Sequence, residues 1–262
     1  LMKHVAALDI LAHRVLWSVP VAFLILWLRG QWSEFRQTLA NPVARRTMAL
    51  SSLLISANWL IYLWAILEGH VLATSIGYYL NPLVNVLLGR LILGERLTRL
   101  QAVAVAVAML AVSVLLLNAL DTLWISLSLA VSFGGYGLVR KMAPAGAVPG
   151  LAVELCIMGP VALAYVGWTL YAGLGPPDLP TAALLSAGGF MTVIPLLLFA
   201  TAARRMSYTA LGFVQYLSPT IVFFLGIFVF KEPLDAVRLA CFALIWLAVA
   251  IFSWDALRRF RA

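Results

Sequence analysis

Gly77 to Arg99 reads GYYLNPLVNVLLGRLILGERLTR, an apolar stretch long enough to cross a membrane with a proline and three polar side chains inside it. A helix in hydrocarbon has no water to repair a broken backbone hydrogen bond. Pro82 lacks an N–H and its ring crowds the carbonyl of Tyr78, so the helix is expected to kink or break there unless neighbours satisfy that carbonyl. Tyr78, Asn81 and Asn85 follow one another at spacings of three and four and therefore share a face. Against lipid such a stripe is costly; against a protein-lined cavity it can serve a ligand, and the second arrangement is the expectation.

The pattern returns in Val214 to Glu232, VQYLSPTIVFFLGIFVFKE, where Pro219, Gly226 and Glu232 each stand 137 residues after Pro82, Gly89 and Glu95. The same offset aligns Leu60, Ala65, Ala73, Tyr79, Leu80 and Leu88 with identical residues, which marks an internal repeat. Nearer the N-terminus, Pro20 pairs with Pro160 at an offset of 140, and this places Arg14 opposite Glu154.

With 64% hydrophobic and 11% charged residues among 262, the chain is far from globular usage and reads as an all-α integral membrane protein. Apolar runs lie at about 9–28, 48–67, 71–93, 100–117, 122–140, 148–171, 182–203, 208–230 and 237–255. The net charge of +8 does not point to nucleic acid. Arg29 to Arg46, Arg90 to Arg99, Arg140 with Lys141, Arg204 with Arg205, and Arg258 to Arg261 all fall on one side of alternating loops. Only Lys3, Arg14, Lys231 and Arg238 lie elsewhere. That side is expected to be cytoplasmic, with the C-terminus in it and residue 1 outside. The second half holds five spans and the first four, and the chain opens on Leu1. The expectation is a first helix missing from an intact ten-span protein, a bundle of two inverted five-helix repeats covering 1–118 and 119–262.

Outside the two proline-bearing segments, several polar residues sit inside spans. His13 and Arg14 lie just within the outer boundary, where Arg14 can bind an anionic group, close a gate or simply snorkel. Asn58 and Tyr62 share a face, and an unpaired amide at mid-membrane costs several kcal/mol. Glu154 lies about two turns inside its helix with no basic neighbour in sequence, which nominates it for gating or proton coupling. Pro195 is expected to break a helix at the position matching Asn58, and Gln215, Tyr216 and Ser218 supply the second half's polar cluster. Other segments read as framework. Residues 100–117 carry no buried polar group and suit a helix facing lipid or another subunit. Glu95 reads as a solvated cap or a partner of Arg99, and Arg140 with Lys141 as surface residues. Residues 29–46 read as an amphipathic connection, Cys156 and Cys241 as packing residues, and Trp246 and Trp254 as packing and interfacial anchors.

The segments His13-Arg14-Val15-Leu16-Trp17-Ser18, Asn58-Trp59, Gly77 to Asn85, Leu93-Gly94-Glu95-Arg96, Tyr136 to Lys141 and Leu211 to Tyr216 resemble the drug/metabolite transporter superfamily, EamA family, and within it the RarD-type permeases. The resemblance covers the whole chain. It implies ten helices, cytoplasmic termini and export of small metabolites or drugs, with a name associated with chloramphenicol sensitivity.

The function expected is secondary or facilitative transport across a bacterial inner membrane by alternating access. The pocket would be built from Asn58, Tyr62, Tyr78, Asn81, Asn85, Gln215, Tyr216 and Ser218, between the repeats, which rock about Pro82 and Pro219. Aromatics and amides with no central carboxylate suit neutral or zwitterionic solutes with an apolar part, an aromatic amino acid or a chloramphenicol-like compound. No phosphate-binding GxxxxGK[ST] loop is present. No cofactor or metal is expected, since His4, His13 and His70 are scattered and neither cysteine has metal-ligand spacing. An intramembrane enzyme would need ionisable groups converging at one depth; a regulatory or assembly protein without flux is the other alternative. The assembly is expected to be a monomer or homodimer.

Overall fold

Each apolar run can satisfy its backbone in lipid only by becoming a helix, and helices are what form. The computed structural model describes residues 5–116, 120–176, 178–228 and 236–261. In order they are α1 (Ala7–Leu28), α2 (Trp32–Ala40), α3 (Pro42–Leu67), α4 (Val71–Leu91), α5 (Arg99–Leu116), α6 (Leu123–Met142), α7 (Ala147–Tyr171), α8 (Leu179–Arg205), α9 (Tyr208–Gln215), α10 (Leu217–Phe228) and α11 (Ala236–Arg261). Among the described residues nine segments are long and apolar enough to span a bilayer, α9 and α10 together making one of them. Lys3, His4, Lys231 and Glu232, the last being the counterpart of Glu95, lie outside the described residues.

Local chemistry sets several boundaries. Asn41 starts α3 by accepting from the amides of Val43 (2.9 Å) and Ala44 (3.2 Å), with Pro42 in the first turn where its missing N–H costs nothing. The amphipathic connection forms α2, which buries Phe35 in an aromatic cluster with Phe23 and Trp32.

Pro195 departs from expectation, and Pro82 follows the alternative in which the helix is kept. Pro82 lies inside an uninterrupted α4 and Pro195 inside an uninterrupted α8, so neither breaks its helix. A proline removes one bond of the ladder, and a helix packed among neighbours can tolerate that loss. The second-half break does exist, but it falls at Tyr216, between α9 and α10. Pro219 is the third residue of α10, in the first turn, where backbone donors have no helical partner in any case.

The chain forms two compact units that divide inside α6. One comprises Leu1–Glu68 and Gly135–Arg205, the other Gly69–Gly134 and Met206–Ala262. In the first unit α1 packs on α7 and α8, and α3 packs on α7. Buried Ser18 donates to the Arg14 carbonyl (2.6 Å) and to the Gly189 carbonyl of α8 (3.2 Å). That approach requires glycine, because a Cβ at 189 would overlap the backbone of Trp17 and Ser18. Leu26, Met48, Ala152 and Val153 form part of this unit's core.

In the second unit α4 packs on α9, and α5 lies along α11. Ala104, Ala108 and Ala111 make a flat stripe covered by Ile245, Ala248 and Phe252. This corrects the reading of 100–117 as a helix with no buried polar group turned to lipid: one face is packed, and Gln101 on it is buried. Trp246 packs against Phe224 and Phe242 and its indole N–H donates to Thr220 Oγ1 (3.2 Å), whereas Trp254 is exposed. Cys241 is buried, but Cys156 is exposed and packs no core.

Candidate functional site

In the second unit the path to a site starts from glycines. A Cβ at Gly134 of α6 would sit 3.2 Å from Asn85 Oδ1, and one at Gly212 of α9 would sit 2.8 Å from the Pro82 carbonyl and 3.2 Å from Asn85 Cβ. Both helices therefore reach α4 at backbone distance, and Asn85 is closed between them at 0% exposure. Ser126 of α6 donates to the Ala73 carbonyl (2.7 Å) and Tyr208 of α9 to the Gly134 carbonyl (2.5 Å). Gln215 and Tyr216 follow Gly212 by three and four residues and so leave α9 on the face turned to α4.

This part of the unit holds buried polar atoms. Among the described residues, Asn81 Oδ1, both amide atoms of Asn85, Gln215 Nε2 and the Tyr216 hydroxyl are buried without a hydrogen-bond partner, as is the Thr209 hydroxyl near Gly89 and Glu95 at the end of α4. Each such group costs about 1–3 kcal/mol, and folded proteins keep few of them. All are uncharged and offer both donors and acceptors, so the cluster is suited to a ligand's amide, hydroxyl or carboxylate.

Of the two readings of Glu95, the cap is the one that forms, on α9 and not on its own helix, and no ion pair with Arg99 is present among the described residues. After α4 ends, Gly94 takes a positive φ of 67°, and the Glu95 carboxylate accepts from the amides of Tyr208 (2.5 Å) and Thr209 (2.9 Å). These are first-turn donors of α9 with no helical acceptor, and a negative charge there is favoured by the helix dipole.

The first unit holds a charged centre. Glu154 and Arg140 are both 1% exposed and 3.6 Å apart. Ser51 donates to Glu154 Oε1 (2.5 Å), while the guanidinium donates to the Ala147 carbonyl (2.7 Å) and contacts Met48 Sδ (3.1 Å). A Cβ at Gly150 would overlap that guanidinium. Arg140 is thus an interior residue and not a surface one. Its neighbour Lys141 reaches the Ala203 carbonyl (2.9 Å). Tyr136, fully buried, stacks on Phe199.

The remaining candidates lie as follows. Arg14 is half-buried, 4.6 Å over the Trp59 ring, and donates from Nε to Thr192 Oγ1 (3.1 Å); Glu154 has Arg140 as its ion-pair partner. His13 is buried with Nδ1 2.9 Å from the Asp9 carbonyl. Asn58 is buried and Tyr62 half-buried in α3 of the first unit, while Tyr78 is 44% exposed and Ser218 also exposed. The structure therefore brings together Asn81, Asn85, Gln215 and Tyr216 within one unit. Sequence reasoning missed Arg140, Ser51 and Thr209. The one signal for Arg140 was its short connection to α7, which turns the end of α6 back toward Glu154. Among the described residues no group of three His, Cys, Asp or Glu is placed to hold a metal.

Nine apolar helical segments long enough to span a bilayer among the described residues define the class of multi-pass membrane proteins. Residues 1–117 match the EamA-like transporter family. The chain is 44% identical over its full length to an uncharacterized transporter of Pseudomonas aeruginosa, covering 89% of it. It is 41% identical, again over its full length, to Protein RarD of Streptomyces exfoliatus, covering 84% of that protein. A solved crystal structure shares the fold with a TM-score of 0.70 at 19% identity, over 98% of this chain and 90% of that one. The chain belongs to the EamA-like transporter family, among its RarD relatives.

Proposed function

We propose that the protein is a secondary or facilitative exporter of small neutral or zwitterionic solutes across the bacterial inner membrane, working by alternating access. The observation that carries this reading is the α4/α9 seam, where Asn81, Asn85, Gln215 and Tyr216 keep buried polar atoms without partners among the described residues. A solute that hydrogen-bonds them recovers what the fold gives up, which is how a site gains affinity for a polar ligand and rejects an apolar one. With the repeats taken as 1–118 and 119–262, α4 belongs to the first and α9 to the second, so the seam is a junction between repeats. Aromatic Tyr216 beside amides favours a solute with an apolar part, an aromatic amino acid or a chloramphenicol-like compound.

Coupling belongs to the other unit. Glu154 is proposed as its proton-responsive group, with Arg140 and Ser51 holding the charged state. His13 and Arg14 are assigned to gating.

The test is reconstitution of the full protein in liposomes and uptake of labelled phenylalanine and chloramphenicol with and without an imposed pH gradient. Flux above empty liposomes that responds to the gradient supports proton-coupled transport. Flux indifferent to it supports the facilitative form, and no flux of either solute would return the protein to a regulatory or assembly role.

A further inference from the structure

The connection between α1 and α3 carries a basic rim that the transport reading does not use. Arg29, Arg36, Arg45 and Arg46 are all exposed, and none makes an ion pair among the described residues. Exposed Arg204 and Arg205 add to the same end of the first unit. There the ends of α6 and α8 are tied together, Arg204 donating to the Ala143 carbonyl (2.9 Å) and Lys141 to the Ala203 carbonyl (2.9 Å), and Ala143 packs with Phe35 of α2 in one core. Glu34 is the one carboxylate in residues 29–46, and it is turned to the protein. It accepts from Gln31 Nε2 (3.0 Å), and a Cβ at Gly146, the residue before α7, would overlap it. The rim therefore keeps a net positive charge that no carboxylate of its own cancels.

The make-up of α2 identifies what meets that charge. With nine residues it is about 14 Å long, less than half the hydrocarbon thickness, so it lies at the end of the unit and does not cross the membrane. Around its axis Phe35, Leu39 and Trp32 are neighbours, and Arg36 borders Trp32. Phe35 is buried, whereas Leu39 and Trp32 are exposed. One apolar arc is thus half covered by the protein and half open, with an arginine at its edge. Leu28 and Val43, on the flanking helix ends, are exposed as well. Exposed aromatic and aliphatic side chains interleaved with arginines fit the boundary between headgroups and acyl chains of an anionic leaflet. A soluble anion would engage the arginines and leave Leu39 and Trp32 in water. This end is also the side that the charge distribution assigns to the cytoplasm.

We propose that α2 is an interfacial helix that binds anionic phospholipid, the arginines around it taking the headgroup phosphates while Leu39 and Trp32 meet the acyl chains. Thermal unfolding of the purified full protein in neutral detergent tests it, with parallel titrations of phosphatidylglycerol, phosphatidylcholine and glycerol phosphate. Phosphatidylglycerol is expected to raise the Tm, and phosphatidylcholine and glycerol phosphate to leave it unchanged. An arginine near an anionic surface contributes about fivefold in affinity, so Arg36→Gln combined with Arg45→Gln should raise the lipid concentration at half-effect by at least about tenfold. Leu39→Gln should raise it as well, and Arg90→Gln combined with Arg96→Gln, exposed arginines of the other unit, should not. No rise with phosphatidylglycerol overturns the proposal, as does an equal rise with phosphatidylcholine or with glycerol phosphate. A native response in either of the first two variants overturns it too, and so does an equal loss in the variant of the other unit. The Tm of each variant without lipid separates lost binding from lost folding, and where Arg36→Gln with Arg45→Gln unfolds, Arg29→Gln with Arg46→Gln takes its place.

Discussion

A carboxylate and a guanidinium taken out of solvent together are held by each other and by the groups around them. In the Arg140–Glu154 centre those groups are the Ser51 hydroxyl and the Ala147 carbonyl. Removing one partner leaves a buried, uncompensated charge, so Glu154→Gln or Arg140→Met should each destabilise by about 3–5 kcal/mol. The double variant should recover much of that loss. A double-mutant cycle on thermal or denaturant unfolding in detergent measures it, and additive losses would show that the two residues act independently. Glu154 was legible in the sequence because a carboxylate two turns inside an apolar run has no solvated position. Arg140 was not, because it stands beside Lys141 at a helix end, where a basic pair normally marks the membrane surface. Met48, Ser51 and Gly150 decide that one of the two goes inward, and all three are remote in sequence.

At the scale of helices, α4 and α9 are joined by two devices. Gly212 admits the α4 backbone, and an alanine there would place its Cβ 2.8 Å from the Pro82 carbonyl. Gly212→Ala should therefore cost about 1–3 kcal/mol through overpacking, seen as a lower Tm; an unchanged Tm would mean that the helices can separate without penalty. Glu95 supplies the second device by capping α9 from the end of α4. Glu95→Ala should cost about 0.5–2 kcal/mol, with Glu95→Gln retaining part of the effect through its remaining acceptor. The helices themselves were legible because hydrocarbon length and backbone satisfaction leave little choice of conformation. The proline breaks were less so. Proline chemistry alone predicts damage at Pro82, Pro195 and Pro219, whereas surrounding packing keeps α4 and α8 whole and the second-half break falls at Tyr216.

The two compact units cut across the two halves of the sequence. The offset of 137 matches α4 with the α9–α10 region, yet the compact units draw helices from both halves, α1 and α3 with α7 and α8, and α4 and α5 with α9 to α11. A repeat reports which residues correspond and is silent on which ones pack. For that reason the polar candidates and the grouping of Asn81 and Asn85 with Gln215 and Tyr216 were readable from the sequence, while the assignment of Asn58 and Tyr62 to the other compact unit was not. The measurement that bears most directly on the α4/α9 seam as the solute site is liposome uptake of labelled phenylalanine and chloramphenicol by the native protein, Asn81→Leu and Asn85→Leu, at matched insertion. Leucine fills a similar volume and removes the unpaired amide, so each variant should remain folded and lose uptake by at least about tenfold, the equivalent of one hydrogen bond of roughly 1.4 kcal/mol. Native uptake in both variants would remove the seam from the transport path.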